Sequence, residues 1–564
     1  MLALVKYARV VHMEREVISL IENALGALGY ESAPVQVSFP KELAHGDYMT
    51  NVALVLGKNR GEQPSLVAEK IRDEIVKTKP EWLLRVEVAG PGFINFTLSN
   101  QCIGEKVGEI ASSGDSFGKS EIHKGKKILV EHSSPNLFKP FHIGHFMNNA
   151  IGESIARLAK VSGAGVEVIS YPSDISLGVA KAIFIILEKY GHDFEPKDIA
   201  LLGEAYVEGT KRYDEDESTH VRIKEIASNL YGNVASPELD VFNACKTFNI
   251  DYFKHVTNEL GSHFDDFIYE SEAGLAGEKI VRAHPEVFEA SEGAIIYAGE
   301  KDGLHTRVFI NKEGHPTYEA KDLGLLSLKF SRYSPDVSIF ITDNEQKNYF
   351  EVVSTAAGKI EKTWQEKTIH RTHGRMSFKG QKMSSRLGGV PLAEATLQEV
   401  ASEVKEKNPE LTDRDAKLLA LSSLKFSILR AKAGSNIDFD PETSISFLGA
   451  TGPYLQYAAV RASSLLAKAP SAEGKMPEGW QTTDLEREIV RFPSIVERAI
   501  EEWEPHHVAG YALGLAQSFN SWYAASQIID DTPESPYKIA ITRAFLSVLK
   551  NALHLLAIEV PEKM

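Results

Sequence analysis

Two histidines at close spacing are the residues of this chain best suited to chemistry. His142 and His145 flank Ile143-Gly144, directly after Pro140-Phe141. Imidazole N–H groups can donate hydrogen bonds to a polyphosphate, and a glycine lets a nucleotide lie against the backbone. The spacing alone also fits metal ligands or ordinary loop histidines. The stretch is a candidate phosphate site whose meaning depends on its surroundings.

A second polar stretch lies far downstream. It runs from Gly380 to Gly389 and contains one lysine, Lys382, which Met383, Ser384 and Ser385 follow. A polar stretch with glycines at both ends is typical of a surface turn, and one lysine in such a turn indicates no chemistry by itself.

The elements around the histidines indicate a nucleotide-binding fold. An apolar run at 126–130 predicts a buried strand, the apolar spacing over 149–160 predicts a helix, and 166–169 predicts a second strand. Strand, loop, helix and strand form a βαβ unit, whose loop meets a phosphate at the helix N-terminus. A further apolar run, Val337 to Thr342, predicts a central strand with Asp343 to Gln346 at its carboxyl end. The expected fold class is α/β with a Rossmann-like parallel sheet.

In this setting the two stretches resemble the paired signatures of class I aminoacyl-tRNA synthetases. The first is similar to the HIGH signature and the second to the mobile KMSKS loop, and they occur in that order across a domain-sized interval. The resemblance implies that the histidines stabilise the phosphates of ATP. It implies a HIGH region of Pro135, Asn136, Leu137, Phe138, Lys139, Pro140, Phe141, His142, Ile143, Gly144 and His145. It implies the ATP-binding residues His142, Gly144, His145, Lys382, Met383, Ser384 and Ser385, with both histidines and Lys382 catalytic.

Further stretches narrow the resemblance to the arginyl-tRNA synthetases. The approach to the HIGH region, 130–136 followed by Lys139, is similar to that family's version, as is the pair Tyr318 and Asp322. Three more stretches are similar to motifs of the family: Thr451 to Tyr457, His45 to Asn51 and Ala89 to Asn95. The resemblance therefore covers nearly the whole chain. It implies an arginine–tRNA ligase that uses ATP, as Mg-ATP, to convert L-arginine to arginyl-adenylate and transfers it to the 3′ end of arginine tRNA.

A substrate guanidinium needs carboxylates, because it is planar, always charged and able to donate two parallel hydrogen bonds. The resemblance implies that Glu131 and Asp322 supply them, with Tyr318 beside the substrate side chain. It implies further arginine contacts from Ser134, Asn136 and Gln346. Without the resemblance, Asp322 would be interpreted as a helix-start carboxylate and Tyr318 as a core aromatic.

Two stretches depart from the family pattern. After the second strand, Tyr171 to Gly178 replaces a Gly-Asp-Trp-Gly or Asn-Asp-x-Gly pattern, so Asp174 is a candidate for the matching aspartate while the tryptophan is absent. In the second signature, Ser385 stands where a second lysine usually holds the α-phosphate. A hydroxyl supplies no positive charge, so another cation is expected near the phosphates. Lys139 is predicted to be catalytic in that role.

The last segment carries residues that could hold RNA. Tyr454, Tyr457 and Arg461 fall at i, i+3 and i+7 on one helical face, where rings can stack a base and the guanidinium can neutralise a phosphate. A buried seam with an arginine that reaches the surface is the ordinary alternative. The resemblance favours tRNA binding at this face, and also at Asn51 in the N-terminal motif.

Three domains are expected. Residues 1–117 are predicted to form an N-terminal tRNA-contacting α+β domain, with helices at 11–28 and 64–76 and strands at 35–39 and 93–98. Residues 125–440 are predicted to be the class I catalytic domain, with a helical insertion at about 184–289. Residues 441–564 are predicted to be a helical anticodon-binding domain, from apolar periods over 454–466, 485–500, 509–529 and 537–558.

Composition limits the remaining possibilities. A chain of 564 residues is too long for a single hydrophobic core. Its content of 43% hydrophobic and 25% charged residues is typical of a globular protein in water. No apolar run could span a bilayer and no secretory segment opens the chain, so we expect a cytoplasmic protein without membrane contact. A net charge of −16 argues against general affinity for nucleic acid but leaves local basic surfaces open. Two distant cysteines, Cys102 and Cys245, favour neither a disulfide framework nor a structural metal. A monomer is expected.

Three alternatives stay open at this point. Another class I synthetase is the nearest, although the cysteine branch uses a zinc site that two distant cysteines cannot build, and an acidic substrate would require basic pocket residues. A HIGH-type nucleotidyltransferase acting on a small molecule would need neither terminal domain. A tRNA-binding relative without activity would not need His142, His145 and Lys382.

Overall fold

The computed structural model describes residues 13–30, 34–40, 42–114, 117–379, 386–387, 390–470 and 474–564, with the backbone alone for 386, 387 and 390. One large hydrophobic core includes side chains of the N-terminal region, the central sheet and the C-terminal helices. Within these ranges, no helix combines the length and the apolar character that crossing a membrane requires.

The first region combines helices with an antiparallel sheet. In chain order its elements are α1 (Met13–Ala27), β1 (Val37–Ser38), β2 (Tyr48–Thr50), α2 (Val52–Arg60), α3 (Pro64–Lys77), β3 (Leu83–Ala89), β4 (Phe93–Leu98) and α4 (Asn100–Ser113). The strands pair in the order β1-β2-β4-β3. Pro64 opens α3 at a position where a helix makes no use of the N–H, and Ser99 caps α4 by accepting a hydrogen bond from Cys102 N at 3.2 Å. The predicted strand at 35–39 is reduced to Val37–Ser38.

The central region is built on a five-stranded parallel sheet, as the sequence predicts. In chain order its elements, up to the last sheet strand, are β5 (Lys127–Glu131), α5 (Ile143–Val161), β6 (Gly165–Ser170), α6 (Leu177–Tyr190), α7 (Ile199–Glu215), α8 (Glu217–Tyr231), α9 (Pro237–Glu259), β7 (Asp266–Phe267), α10 (Glu270–Ala283), β8 (Glu289–Ser291), β9 (Ala294–Tyr297), β10 (Arg307–Ile310), α11 (Tyr318–Tyr333), β11 (Val337–Asp343), α12 (Lys347–Ile360), α13 (Lys362–Glu366) and β12 (Thr368–His373). The sheet order is β12-β11-β5-β6-β7. The strand β10 does not belong to the parallel sheet and joins a separate antiparallel sheet with β8 and β9.

The carboxyl ends of β5 and β11 meet at the centre of the parallel sheet. The chain continues from β5 to β6 on one side and from β11 to β12 on the other, so the strand order reverses between them. Open α/β sheets bind ligands in the crevice at such a point. The helix after β5 begins at Ile143, earlier than the predicted residue 149, so that His142 and His145 lie at its N-terminus.

Four helices, α6 to α9, fill the insertion between β6 and β7. They pack around a core of their own that includes Ile183, Leu202 and Ile223. Leu137 and Phe138, from the loop after β5, are almost fully buried in this same core. The insertion therefore supports the loop that carries the HIGH region.

The remaining elements lead into the C-terminal bundle. In chain order they are β13 (Met376–Phe378), β14 (Arg386–Leu387), β15 (Val390–Pro391), α14 (Ala393–Lys407), α15 (Asp413–Leu429), β16 (Ile437–Phe439), α16 (Pro441–Ser444), α17 (Gly452–Leu466), α18 (Asp484–Val490), α19 (Phe492–Glu502), α20 (His506–Ala525) and α21 (Ser535–Leu555). The bundle is helical, as predicted. The single helix expected over 485–500 is divided into α18 and α19, because Pro493 has no N–H to bond the carbonyl of Ile489.

An ion pair joins the N-terminal region to the bundle. The carboxylate of Asp47 accepts hydrogen bonds from Leu98 N at 2.7 Å and from Nη1 of Arg487 in α18 at 2.5 Å. Both charged side chains are largely buried, with Asp47 at 5% and Arg487 at 14% exposure. The motif His45 to Asn51 therefore contains a contact between domains.

The residues around Asp47 differ in how closely they are packed. Gly46 has a φ of 109°, and a Cβ at this position would lie 2.7 Å from the carbonyl oxygen of Phe96. His45 and Asn51, at the two ends of the motif, are exposed. Gly46, Asp47 and Tyr48, in the middle of the motif, are buried, whereas Asn51, the residue predicted to bind tRNA, is exposed.

The Asp47→Ala substitution should lower the thermal unfolding temperature, because the buried charge of Arg487 would lose its carboxylate partner. Breaking a buried pair costs about 3 to 5 kcal/mol, whereas an exposed pair contributes about 0 to 1 kcal/mol. Glu87→Ala is the matched control, since Glu87 pairs with Arg85 in the same sheet and both side chains are about half exposed. Scanning calorimetry measures both variants, and equal melting temperatures would contradict the prediction.

Candidate active site

One large cleft opens at the carboxyl ends of β5 and β11. Its volume is about 1020 Å³. Nine of the predicted site residues line it: Glu131, Ser134, Asn136, His142, Gly144, His145, Tyr318, Asp322 and Gln346. Lys139 is not among the lining residues, and Lys382, Met383, Ser384 and Ser385 lie outside the residues that the structure describes. The predicted histidines and carboxylates, far apart in sequence, therefore face one space.

The loop from β5 to α5 has no helix or strand of its own and is held by its neighbours. Ser133 and Phe138 adopt left-handed backbone conformations, with φ of 56° and 62°. Phe138 N donates to Oδ1 of Asn249 in α9 at 2.6 Å, and Leu137 N donates to the carbonyl of Ser173 at 3.1 Å. Such backbone conformations persist only where surrounding contacts determine them. The insertion and the segment after β6 supply these contacts.

Tyr252 in α9 connects the same loop to α14, the helix that follows the second signature. Its hydroxyl oxygen accepts a hydrogen bond from Phe141 N at 3.3 Å, and its hydroxyl donates to the carboxylate of Glu394 in α14. Ala393 N donates to the carbonyl of Phe141 at 2.9 Å. Burial and the Glu394 carboxylate raise the pKa of Tyr252 far above its usual value, so the phenol stays protonated and remains a donor. Three segments that are distant in sequence thus share one set of hydrogen bonds.

The two histidines cap the helix that they begin. Nδ1 of His142 accepts hydrogen bonds from Gly144 N at 3.1 Å and from His145 N at 3.3 Å, and Nδ1 of His145 accepts one from His142 N at 3.3 Å. Burial, reinforced by the charge of Lys139, lowers the pKa of His142 to about 4 and that of His145 well below its usual value. Both rings are therefore neutral at neutral pH. A neutral ring that accepts at Nδ1 carries its proton on Nε2, so each histidine is an Nε2–H donor.

Another part of the cleft holds two carboxylates, each with one oxygen engaged by the chain. Lys329 forms an ion pair with Oε2 of Glu131, and the hydroxyl of Tyr349 donates to Oδ2 of Asp322. The first contact is one of charges rather than an aligned hydrogen bond, since Oε2 has no hydrogen-bond partner among the described residues. Desolvation by the surrounding protein, together with the charges of Glu131 and Glu270, raises the pKa of Asp322 to about 7, although the Tyr349 hydrogen bond and Lys329 oppose the rise. The ionisation of Asp322 therefore depends on the charged groups beside it.

The other predicted arginine contacts lie nearer the mouth of the cleft. Tyr318 is the first residue of α11 and is 64% exposed. Asn136 and Gln346 are exposed as well, whereas Glu131 is buried. Glu131 thus lies inside the cleft, whereas Asn136, Tyr318 and Gln346 lie nearer its opening.

Three residues that line the cleft together with Glu131 and Asp322 were not identified from the sequence: Lys329, Tyr349 and Tyr171. The hydroxyl of Tyr171 is buried and has no hydrogen-bond partner in the part of the chain that the structure describes. Lys329 follows Asp322 by two helical turns, and that spacing on one helical face could have pointed to it. Nothing local marks the two tyrosines, because their neighbours in the cleft come from other elements.

Lys139 lies beside the histidines but is directed to the insertion. Its ammonium is 4.3 Å from the ring centroid of Tyr206 in α7, a cation–π contact. It is close enough to both histidines for its charge to lower their pKa values. The predicted catalytic lysine is therefore near the histidine pair and is held on an aromatic ring.

Asp174, the candidate aspartate of the altered stretch, does not line the cleft. Its carboxylate accepts hydrogen bonds from Lys246 Nζ at 2.6 Å, Ser271 N at 2.9 Å and Ser271 Oγ at 2.8 Å. Lys246 belongs to α9 and Ser271 to α10. Asp174 thus joins the segment after β6 to both helices, which is a structural role.

In the bundle, Tyr457 and Arg461 form a cluster with two residues of α20. Arg461 donates to the hydroxyl of Tyr457 at 2.8 Å and to Oδ1 of Asn520 at 2.7 Å. Its guanidinium also lies over the rings of Tyr457 and Tyr523, at 4.6 and 5.1 Å from their centroids. Helical spacing around Tyr457 could not have identified Asn520 and Tyr523, because these two residues belong to another helix.

The two other predicted tRNA contacts differ in surroundings. Tyr454 is half-buried on α17 and packs against the large core. Asn51 is exposed immediately before α2. Tyr454 therefore fits the buried-seam interpretation better than Tyr457 does.

Comparison with protein families agrees with this arrangement. A model described as tRNA synthetases class I (R), catalytic domain, matches residues 106–440. An Arginyl tRNA synthetase N terminal domain model matches residues 15–98, and a DALR anticodon binding domain model matches residues 455–564.

Individual relatives are similar along nearly the whole chain. The chain is 28% identical over 549 residues to an arginine–tRNA ligase of Pediococcus pentosaceus, covering 94% of this chain and 95% of that protein. It is 29% identical over 567 residues to one of Streptococcus pneumoniae serotype 4, covering 97% and 99%. In fold it is similar to the arginyl-tRNA synthetase of Thermus thermophilus, with a TM-score of 0.80 and 24% identity over 98% of this chain and 100% of the other. That of Plasmodium falciparum has a TM-score of 0.82 and 20% identity, covering 98% and 99%.

The catalytic-domain model alone matches more than half of the chain, and models of the same family or its anticodon domain match on either side. The chain belongs to the class I arginyl-tRNA synthetases.

Proposed function

We propose that the chain carries out arginine–tRNA ligation in two steps at this cleft. The carboxylate of L-arginine attacks the α-phosphorus of ATP, so that arginyl-adenylate forms and pyrophosphate leaves. The terminal ribose hydroxyl of arginine tRNA then attacks the adenylate carbonyl, and AMP leaves. The observation that carries the proposal is one cleft lined by the two neutral histidine donors and by the carboxylates of Glu131 and Asp322. No covalent enzyme intermediate is needed, so catalysis is mainly positioning and charge stabilisation.

The carboxylates suit the guanidinium of the substrate. Glu131 and Asp322 each have one oxygen engaged by Lys329 or Tyr349, which orients the carboxylate toward the cleft. A guanidinium can donate to both, because its N–H groups form a planar fork. Ser134, Asn136, Tyr318 and Gln346 are assigned to the remaining polar contacts of the amino acid, and their places on the lining support this.

The histidine pair suits the phosphates of ATP, which we expect to enter as Mg-ATP. Neutral Nε2–H donors at the N-terminus of α5 add to the positive end of the helix dipole. Lys139 supplies a positive charge to the α-phosphate after it leaves the ring of Tyr206. The assignment of Lys382, Met383, Ser384 and Ser385 to ATP stays a prediction from the sequence.

The outer parts of the chain are assigned to RNA. We divide the chain into the N-terminal domain 1–117, the catalytic domain 125–440 with its insertion, and the anticodon-binding domain 441–564. Tyr457 and Arg461, with Tyr454 nearby on α17, offer rings and a guanidinium to an unpaired base and its phosphate, and Asn51 offers an exposed amide. The proposal includes a monomeric cytoplasmic enzyme without a structural metal.

The Asp322→Asn and Glu131→Gln substitutions should each raise KM for arginine by roughly 30-fold or more and leave KM for ATP unchanged, because losing one partner of a buried charge pair costs about 2 to 5 kcal/mol. With the pKa of Asp322 at about 7, KM for arginine in the unaltered enzyme should rise as the pH falls through that value, since a protonated carboxyl cannot accept from the guanidinium. This pH dependence should vanish in Asp322→Asn.

The measurement is tRNA charging with each of the twenty amino acids offered separately. Arginine alone should be charged by the unaltered enzyme. Unchanged arginine kinetics in both variants would mean that the guanidinium binds elsewhere.

The Lys139→Ala substitution should slow adenylate formation about 10²- to 10³-fold, because one preorganised contact to the transition state is lost. Single-turnover rates with tRNA present, at saturating ATP and arginine, measure this. Lys181→Ala is the matched control, since Lys181 also lies 4.3 Å from a tyrosine ring, that of Tyr213, within the insertion. In the Lys139→Ala background, Ser385→Lys should restore part of the rate of adenylate formation. A near-normal rate of adenylate formation in Lys139→Ala would mean that another group supplies the positive charge.

The Tyr252→Phe substitution should reduce the rate of adenylate formation about 10- to 100-fold, because a hydrogen bond to a charged group contributes about 1.5 to 3 kcal/mol and here it positions the HIGH loop. KM for arginine should stay the same, since the carboxylates are not touched. Tyr213→Phe is the control, because its hydroxyl bonds His220 inside the insertion at 3.0 Å. A change in KM without a change in rate would show that Tyr252 acts on binding instead.

A further inference from the structure

A buried ammonium lies in a cleft that the proposed function fills with another cation. Lys329 is only 2% exposed and lines the cleft. Its Nζ contacts Oε2 of Glu131 on β5 and lies 5.2 Å from the ring centroid of Phe340 on β11. Asp322 lies two turns earlier on the same helix, α11. A site for guanidinium thus contains a positive charge of the protein itself.

The charges around Asp322 show what this ammonium does. Glu131 on β5, Glu270 at the start of α10 and Lys329 on α11 are the charged groups that act on it, and the phenols of Tyr349 and Tyr171 are neutral neighbours. Glu270 is neutralised by its own buried ion pair with Lys321. Within this group Glu131, Asp322 and Lys329 remain, and they carry one net negative charge when both carboxylates are ionised.

One net negative charge matches one guanidinium. Unbalanced charge is costly in a poorly solvated place, and a buried carboxyl that lacks compensation takes up a proton. If Lys329 were absent, no cation would offset the repulsion between Glu131 and Asp322 while the cleft holds no arginine. Asp322 would then take up a proton. A protonated carboxyl offers a donor where the guanidinium needs an acceptor.

We propose that Lys329 is a specificity-determining positioning residue, which holds the carboxylate of Glu131 and balances the charge beside Asp322 so that Glu131 and Asp322 are both ionised for a single guanidinium. The inference rests on the proposed function, in which these two carboxylates take the side chain of arginine. Lys329 itself need not touch the substrate.

The test compares Lys329→Met with Lys329→Arg by measuring KM for arginine in tRNA charging across the neutral pH range. In Lys329→Met, KM at neutral pH should rise about 30-fold or more. The pH at which KM begins to rise should move to the alkaline side by about one unit or more, because a nearby positive charge no longer favours the ionised form of Asp322. Lys329→Arg should keep the profile of the unaltered enzyme, and KM for ATP should stay constant in both.

Two controls separate this role from a general loss of stability. Lys425→Met removes another buried lysine, which donates to the carbonyls of Leu260 and Ala557 at 2.6 Å and lines a different cavity. It should leave the pH profile of KM in place. Lys329→Gln keeps a donor toward Glu131 without the charge, and should show the alkaline shift even if Lys329→Met does not fold.

The outcomes are distinguishable. An unshifted pH profile in Lys329→Met or Lys329→Gln would overturn the inference, as would an equal shift in Lys425→Met. If Asp322→Asn leaves arginine binding intact, the proposed arginine site fails, whatever Lys329 does. If Asp322→Asn weakens arginine binding and the Lys329 variants keep the original profile, only the inference fails.

Discussion

The parallel pairing of β5 with β11 is the interaction on which the site depends. The two strands are far apart in sequence, and their register sets Glu131 beside Phe340. The loop with the HIGH region leaves β5 at this level, and the segment with Gln346 leaves β11 nearby. Because α11 leads directly into β11, the same pairing brings Lys329 against Glu131. A change of register along either strand would separate these groups.

A loop with no helix or strand of its own carries the residues assigned to ATP, and its backbone must find partners outside itself. Asn249 and Tyr252 of the insertion supply two of them, and Ser173 supplies a third. Leu137 and Phe138 add burial by joining the core of the insertion. The insertion therefore holds the HIGH loop in place and, through Tyr252 and Glu394, links it to α14.

The charges of the cleft follow from the cost of burying them. Each acidic side chain near Asp322 has a specific partner: Glu131 has Lys329, Glu270 has Lys321, and Asp322 has the hydroxyl of Tyr349. The histidines show the opposite solution, since burial lowers their pKa values and leaves them uncharged. The cleft thus offers neutral donors to the proposed anionic substrate and the carboxylates of Glu131 and Asp322 to the proposed cationic one.

Many elements of the fold and the kind of chemistry could be predicted from the sequence alone. The strands β5 and β11 could be predicted because a strand buried on both faces is an apolar run, and α5 and the bundle helices because their core faces recur with helical spacing. His142, His145, Glu131 and Asp322 could be singled out because phosphates and guanidinium groups require such side chains, once the family resemblance had given them roles.

The tertiary structure decided how those side chains are held and what surrounds them. It showed that the Nδ1 atoms of His142 and His145 are used within the helix cap, that Lys329 occupies one oxygen of Glu131, and that Asp174 and Asp47 join segments instead of facing a substrate. It also placed Lys139 on Tyr206. Hydrophobic periodicity is a property of residues that are close in sequence, so it could be recognised before the fold was known. A hydrogen bond, an ion pair or a shifted pKa in this site depends on groups that are distant in sequence and that only folding brings together.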